Sequence, residues 1–243
     1  MADTPLVSVI IPVYNQEEMI SEAIESALAQ TYDQIEIIVV DNGSTDRTVE
    51  VLGQYSEHFQ LLREPKRGPY PARNRALLEA KGEYVAFLDA DDRWLPEKIA
   101  KQVEKFEACP QVGLVYTGGC ILDCRDGRAQ LIGEVFEKGC VPPCGNVLPA
   151  LLQNNFIMNS TVMVRRACFD VCGSFREVEM LAADYHKWLQ IAMRTEVVCI
   201  NEPLIEYRIH ARNISANLLQ NRWAVISHLN DLISITCLLY TSD

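Results

Sequence analysis

The chain has 243 residues, 49% of them hydrophobic, and a formal net charge of -11 from 33 acids against 22 bases. That length buries one sizeable core, and the acidic balance, with no basic stripe to offset it, excludes a nucleic-acid surface. No apolar run reaches the length of a membrane span, and Met1-Ala2-Asp3-Thr4-Pro5 lacks the basic start of a secretion signal; the expected setting is the cytoplasm.

Leu6 to Ile11 is a nearly continuous apolar strand followed by Pro12-Val13-Tyr14-Asn15. Asn15 with Glu18 three residues on predicts a capping box, after which Ile20, Ala23, Ile24, Ala27 and Leu28 repeat at helical spacing. Ile35 to Val40 is a second strand, ending at Asp41, and Ser44 or Thr45 is expected to cap a helix carrying Val49 and Leu52 inward. Phe59 to Leu62 reads as a weaker third strand. The pattern predicts a helix from about Pro71 to Lys81, a strand from Tyr84 to Leu88, and a helix opened by Pro96 that bears Ile99, Val103 and Phe106.

The second half is less regular. Strands are expected at Val112 to Ile121, Gln130 to Val135, Thr161 to Val164, Val197 to Ile200 and Leu204 to Tyr207. A helix is expected at Asp184 to Met193, and another over Leu218 to Tyr240 that stops without a cap, as in a fragment of a longer chain. Three of the nine cysteines' spacings, Cys120/Cys124, Cys140/Cys144 and Cys168/Cys172, invite a zinc reading. Zinc knuckles favour two intervening residues, so ordinary reduced thiols are the expectation.

The alternation of strands and helices, with strands apolar on both faces, implies an α/β fold with a mainly parallel sheet covered by helices. Ligands of such sheets bind beyond the carboxyl ends of the strands. Tyr14, Asp41 and Asp89 each follow a different strand and should meet at one rim. The run Tyr84-Val85-Ala86-Phe87-Leu88-Asp89-Ala90-Asp91-Asp92 delivers three carboxylates from a buried strand tip. Clustered oxygen ligands suit a hard cation, and the cation suits a phosphate.

Val9-Ile10-Ile11-Pro12-Val13-Tyr14-Asn15, Val39-Val40-Asp41-Asn42-Gly43-Ser44-Thr45-Asp46, Ala72-Arg73-Asn74 and Phe87-Leu88-Asp89-Ala90-Asp91-Asp92 resemble the successive signatures of glycosyltransferase family 2, with the GT-A fold. The similarity continues through Trp94-Leu95-Pro96-Glu97-Lys98 and, more loosely, through Ala183-Asp184-Tyr185 with Trp188-Leu189 and Tyr207-Arg208-Ile209-His210. The resemblance implies a catalytic domain over 1–215, with a nucleotide-sugar-binding half at 6–110, an acceptor-side half at 111–215, and a C-terminal helix at 216–243. It also implies an inverting enzyme that uses a nucleotide-sugar donor, manganese or magnesium, and a glycan or lipid-linked acceptor in surface polysaccharide assembly, where it would touch a membrane.

By the same resemblance Pro12, Tyr14, Asn15, Asp41, Arg73, Asp89, Ala90, Asp91 and Arg208 would bind the donor. Asp91 and His210 would hold the metal, and Asp184 would be the base. Each has a plainer alternative. Asp41 could be a turn aspartate before Asn42-Gly43, Tyr14 a cover for the sheet end, Arg73 a solvated helix residue, His210 a structural histidine and Asp184 a helix cap. Asp89 and Asp91 could form an acidic turn. Where many relatives carry paired acids, this chain has Ala183-Asp184, with His186 at another commonly acidic position, which bears on acceptor recognition. Two rival classes share some of these features: a sugar-nucleotide nucleotidyltransferase, which calls for a glycine-rich basic loop that Pro12-Val13-Tyr14-Asn15 does not supply, and a nonenzymatic nucleotide- or carbohydrate-binding protein.

Overall fold

A computed structural model describes residues 4–137, 139–177 and 182–213. The helical pattern at Leu218 to Tyr240 lies outside the described residues. Four parallel strands start the chain: β1 (Val7–Val13), β2 (Ile35–Asp41), β3 (Gln60–Arg63) and β4 (Tyr84–Phe87). Between and after them lie helices α1 (Ile20–Leu28), α2 (Thr48–Gly53), α3 (Pro69–Leu77) and α4 (Lys98–Ala108), with a two-residue strand β5 (Arg93–Trp94) before α4. The second half adds β6 (Val112–Asp123), β7 (Gln130–Glu134), α5 (Leu148–Gln153), β8 (Met163–Arg165), α6 (Ala167–Cys172), α7 (Ala183–Ala192) and β9 (Glu196–Ile209).

One sheet runs through both halves in the order β3-β2-β1-β4-β8-β6-β9-β5, with β7 paired to β6. β8 is antiparallel to β4 and β6, and β6 is parallel to β9. Thus β1, β2, β3, β4, β6 and β9 point one way, and the sheet is mainly parallel as the strand composition implied.

Alternate residues serve opposite faces, the period-2 consequence of strand geometry. Ile10, Ile38, Val40, Val85 and Phe87 pack under α3, α5, α6 and α7, through Ala72, Leu151, Cys168 and Trp188. Val9, Ile11, Ile37, Val39 and Ala86 pack under α1, α2 and α4, through Ile24, Leu52 and Phe106. Each such large apolar side chain contributes roughly 1.5–3 kcal/mol by leaving water, so helices cover both faces.

Several local expectations are corrected. Asn15 forms no capping box: its φ is +51°, its Oδ1 accepts the Thr45 N–H at 2.8 Å, and α1 begins only at Ile20 with no side-chain cap. Neither Ser44 nor Thr45 caps α2; Asp46 Oδ1 accepts the Thr48 N–H at 3.0 Å instead, while Ser44 Oγ accepts the Asn15 N–H. The two short strands expected near the end are one strand, β9. Asn201 and Glu202 are squeezed out as a bulge where Thr117 pairs with Ile200 and Gly118 with Pro203, which lets a proline without an N–H stay in a long strand. Gly118 and Gly119 are required there: a Cβ on Gly119 would lie 2.4 Å from the Ile205 side chain.

Candidate active site

The strand order reverses at β1, since β2 and β3 lie on one side of it and β4 on the other. The β1/β4 ladder ends at Ile10 and Phe87, with a final bond from Leu88 N to the Ile10 carbonyl. Even-numbered residues of β1 turn their backbone toward β4, so Pro12 sits beyond the point where β4 has left and costs the ladder no hydrogen bond. The splay opens a cleft at the carboxyl ends of the strands, where ligands of open α/β sheets bind.

Residues from both halves line that rim. Asp41 ends β2, register-paired with Val13, and Tyr14 follows directly. Asp41 Oδ1 accepts the Ser44 N–H at 3.0 Å, so the plain role of turn aspartate is real, and it occupies one oxygen. Asn42 donates to the carbonyls of Glu64 at 2.8 Å and Lys66 at 2.7 Å and accepts from Gly68 N at 2.7 Å, pinning the loop into α3. Gly68, at φ +122°, makes the turn that starts this helix at Pro69. Tyr14 is part-exposed, and the Arg67 guanidinium lies 4.2 Å from its ring centre.

Arg73, buried on α3, is not a solvated residue: its guanidinium meets Asp89 Oδ1 at 2.5 Å. Asn159 Nδ2 donates to the same oxygen at 2.9 Å, and Ser160 Oγ accepts the Asp89 N–H at 3.1 Å. Burial pushes the Asp89 carboxyl above the usual carboxylate range, against the pull of Arg73, with Asp91 and Asp184 adding to the rise. Ala90 is buried in the turn, and Asp91 Oδ2 lies 3.0 Å from His210 Nε2. His210 follows the last residue of β9; Asn213 Oδ1 accepts its N–H at 2.5 Å. Asp184 is the second residue of α7, whose N-terminus meets that of α3 at the strands' carboxyl rim. Its Oδ1 accepts from Tyr70 Oη at 3.3 Å and from Tyr185 N at 2.7 Å.

One expectation changes. Arg208 does not face the cleft: it is buried, and its guanidinium is committed to the carbonyls of Asp91 and Met19 and to Glu22 at 2.5 Å. It supports the turn that presents Asp91. Asp92, the third of the strand-tip carboxylates, is a buried brace that accepts from Ser160 Oγ and from Arg208 N at 3.2 Å. Burial, with Asp91 and Asp89 nearby, raises its ionisation well above the usual range. Asn42 and Asn74 stand in the quoted motifs without a role of their own, and Tyr70, Asn159 and Ser160 escape sequence reasoning. The one signal for the last two is the polar triplet Asn159-Ser160-Thr161 set directly before an apolar strand, which the structure folds as a 3-10 turn.

No group of three or more His, Cys, Asp or Glu side chains is gathered to hold a metal among the described residues. Asp91 with His210 offers two donors, one oxygen and one nitrogen, and the rest of a six-ligand shell would be left to water and phosphate. That open donor set fits magnesium or manganese, which keep waters and take phosphate oxygens.

The family model described as glycosyl transferase family 2 matches residues 8–157. An uncharacterized glycosyltransferase of Rickettsia typhi is 32% identical over 208 residues, covering 85% of this chain and 65% of that protein. An Escherichia coli protein named UDP-Glc:alpha-D-GlcNAc-diphosphoundecaprenol beta-1,3-glucosyltransferase, WfaP, is 33% identical over 216 residues, covering 87% and 80% respectively. Among solved structures, the mannosyltransferase PcManGT of Pyrobaculum calidifontis, determined with GDP-Man and Mn2+, superposes with a TM-score of 0.73 at 24% identity over 96% of this chain and 65% of the other. That likeness shows the fold, GT-A. The chain therefore spans about two thirds of the length of two of these three proteins.

Proposed function

Since the chain belongs to glycosyl transferase family 2, we propose that it transfers a sugar, with inversion, from a nucleoside-diphosphate sugar to an acceptor hydroxyl. The observation that carries this reading is the convergence on one rim of Asp184, the Arg73–Asp89 pair and the Asp91–His210 pair. The donor is read as uridine-linked. Asp41 offers a carboxylate to a uracil N–H, and the name of the E. coli relative supports a UDP-sugar donor and a lipid-diphosphate-linked acceptor. No helix among the described residues is long and apolar enough to cross a membrane; a lipid-diphosphate-linked acceptor would itself be met at a membrane surface.

Asp184 accepts the proton of the acceptor hydroxyl as that oxygen attacks the anomeric carbon and the nucleoside diphosphate leaves from the opposite face. Oδ1 already carries two donors, and Oδ2 has none among the described residues; it is the atom that receives the proton. Arg73 holds Asp89, and Asn159 fixes the same oxygen, so the Asp89 carboxylate is oriented before the donor's ribose arrives. The transition state is oxocarbenium-like, as in glycoside hydrolysis, and needs no covalent enzyme intermediate.

Asp89, Asp91 and Asp184 bring carboxyl groups to the cleft, and Arg208 is spent beneath the turn. A diphosphate entering alone would be repelled. A divalent cation on Asp91 and His210 supplies the compensating charge when bound. The test is incubation with a panel of UDP- and GDP-sugars, manganese and a lipid-diphosphate-linked GlcNAc. Release of nucleoside diphosphate supports transfer; release of pyrophosphate marks a nucleotidyltransferase, and binding with no product marks a binding protein.

A further inference from the structure

Tyr70 lies four positions before Asn74 on α3 and carries no site signal in the sequence, yet it touches both halves of the cleft. Its hydroxyl is 3.3 Å from Asp184 Oδ1, and the Arg73 guanidinium carbon lies 5.2 Å from its ring centre. Its other ring contact is a stack on Phe175 at 6.0 Å, and Phe175 in turn meets Trp188 of α7 edge-on at 6.0 Å. Only 4% of Tyr70 is exposed, so water cannot easily replace its hydroxyl at the Asp184 carboxylate.

Resting on the reading of Asp184 as the base, we propose that Tyr70 is a positioning residue for sugar transfer: its hydroxyl sets the Asp184 carboxylate, and its ring ties that base to the Arg73–Asp89 pair on the donor side. With Tyr70 and the Tyr185 N–H both bound to Oδ1, rotation of the carboxylate would break two hydrogen bonds, and Oδ2 keeps its aim at the acceptor. Burial first, and the charge of Asp184 second, push the Tyr70 phenol far above its ordinary value. The phenol therefore keeps the proton that it donates to Asp184. The titratable and charged groups facing Asp184 are Tyr70 and Arg73 of α3 and Asp89 of the turn after β4. Arg73 spends its charge on Asp89 at 2.5 Å, which leaves Tyr70 as the side-chain donor bonded to the base.

Tyr70→Phe keeps the ring, its stack and its contact with Arg73, and removes the hydroxyl alone. Turnover of the nucleotide-sugar panel with manganese and GlcNAc-diphosphoundecaprenol should fall roughly tenfold in kcat, with donor KM unchanged. A donor hydrogen bond favours the charged carboxylate, so its loss should move the acid limb of the kcat profile to higher pH. Added to Asp184→Asn, the same substitution should not lower the residual turnover further. A wild-type kcat and acid limb in Tyr70→Phe would remove Tyr70 from the mechanism while leaving Asp184 in place. An equal fall in the Asp184→Asn background would assign Tyr70 to folding alone. Full turnover in Asp184→Asn, or no turnover of any nucleotide sugar by the unaltered protein, would instead sink the reading of the base and this one with it.

Discussion

The two walls of the cleft, donor-side and acceptor-side in the proposed function, are built by different means. On the donor side, Tyr14, Asp41 and Asp89 ride the tips of adjacent parallel strands whose ladders place them within a few residues of sequence-local turns. On the acceptor side, Asp184 is held by a tyrosine 114 positions away, and the segment before it by Asn74 from 101 positions away. The sheet places the strand tips, which distant side chains such as Asn159 and His210 then brace; Asp184, the proposed base, rides no strand tip and is held by the side-chain tie to Tyr70. Substitutions on the acceptor side should therefore be felt in turnover and stability, and those on the donor side in nucleotide binding.

The largest effect should come from the base. Asp184→Asn is expected to lower transfer by roughly a hundredfold or more, the usual scale for a lost general base, while nucleotide affinity stays unchanged. Asp184 is not the cap of α7, whose cap position is Ala182 with no side-chain bond; Asn keeps an oxygen to accept from Tyr70 and from the Tyr185 N–H, so folding should not suffer. Turnover at saturating donor and acceptor decides it, and near-normal turnover in the variant would reduce Asp184 to a structural acceptor for those two groups.

Next in size is the cation. Asp91→Ala removes one of the two donors beside the phosphate path. UDP titrated calorimetrically against the unaltered protein should bind with manganese and weaken sharply in chelator. The variant should bind roughly tenfold to a hundredfold more weakly in manganese, at least the cost of losing a supporting group at a metal site, and should no longer respond to chelator. Equal affinity for the unaltered protein in both conditions would end the metal assignment.

How much of this was legible in sequence follows the same division. β1, β2 and β4 are apolar on both faces, and the acids at their ends stand out because a buried strand rarely stops in three carboxylates. Asn15 misled because its helix-capping pattern is local, whereas its side chain found Thr45 thirty residues away. Helices α5 and α6, six residues each, are too short to show a 3.6-residue period. β9 read as two strands because Asn201-Glu202-Pro203 looks like a break, and only its partner β6 makes it a bulge. Arg208 is assigned to the donor by the family resemblance alone. Nothing local revealed Glu22, 186 positions away, as its partner.

Asn74 tests the tying of the acceptor wall directly. Its Oδ1 accepts the Phe175 N–H at 2.8 Å, and its Nδ2 donates to the Phe175 carbonyl at 2.8 Å and to Glu177 at 2.7 Å; Glu177 also pairs with Lys66 at 2.7 Å. Asn74→Ala leaves both backbone groups of Phe175 short of a partner. The expected loss is about 1–3 kcal/mol of stability, read as a lower denaturant midpoint, together with reduced kcat at unchanged nucleotide affinity. A variant that loses nucleotide affinity first would show that the two walls are not separable.

The smallest effect is expected at Asp41, and its size is the sharpest measure of the donor wall. One carboxylate oxygen is already engaged, since Oδ1 accepts the Ser44 N–H, so only the other is left to recognise a base. Asp41→Asn can keep the Ser44 bond through its amide oxygen and present an N–H where the carboxylate accepted. A uracil N–H would then meet a donor. Adenine, which presents a different pattern, would lose less. UDP should bind better than ADP to the unaltered protein, and in the Asn variant the gap should narrow by a few fold, on the order of 1 kcal/mol for one neutral hydrogen bond. Turnover at saturating donor should hardly change, because Asp41 lies on the strand-tip wall and makes no contact with Asp184 among the described residues. Competition titrations of UDP against ADP measure the gap. Finding ADP preferred by the unaltered protein would return Asp41 to the role of turn aspartate alone, and a kcat loss as large as that of Tyr70→Phe would erase the distinction between the two walls.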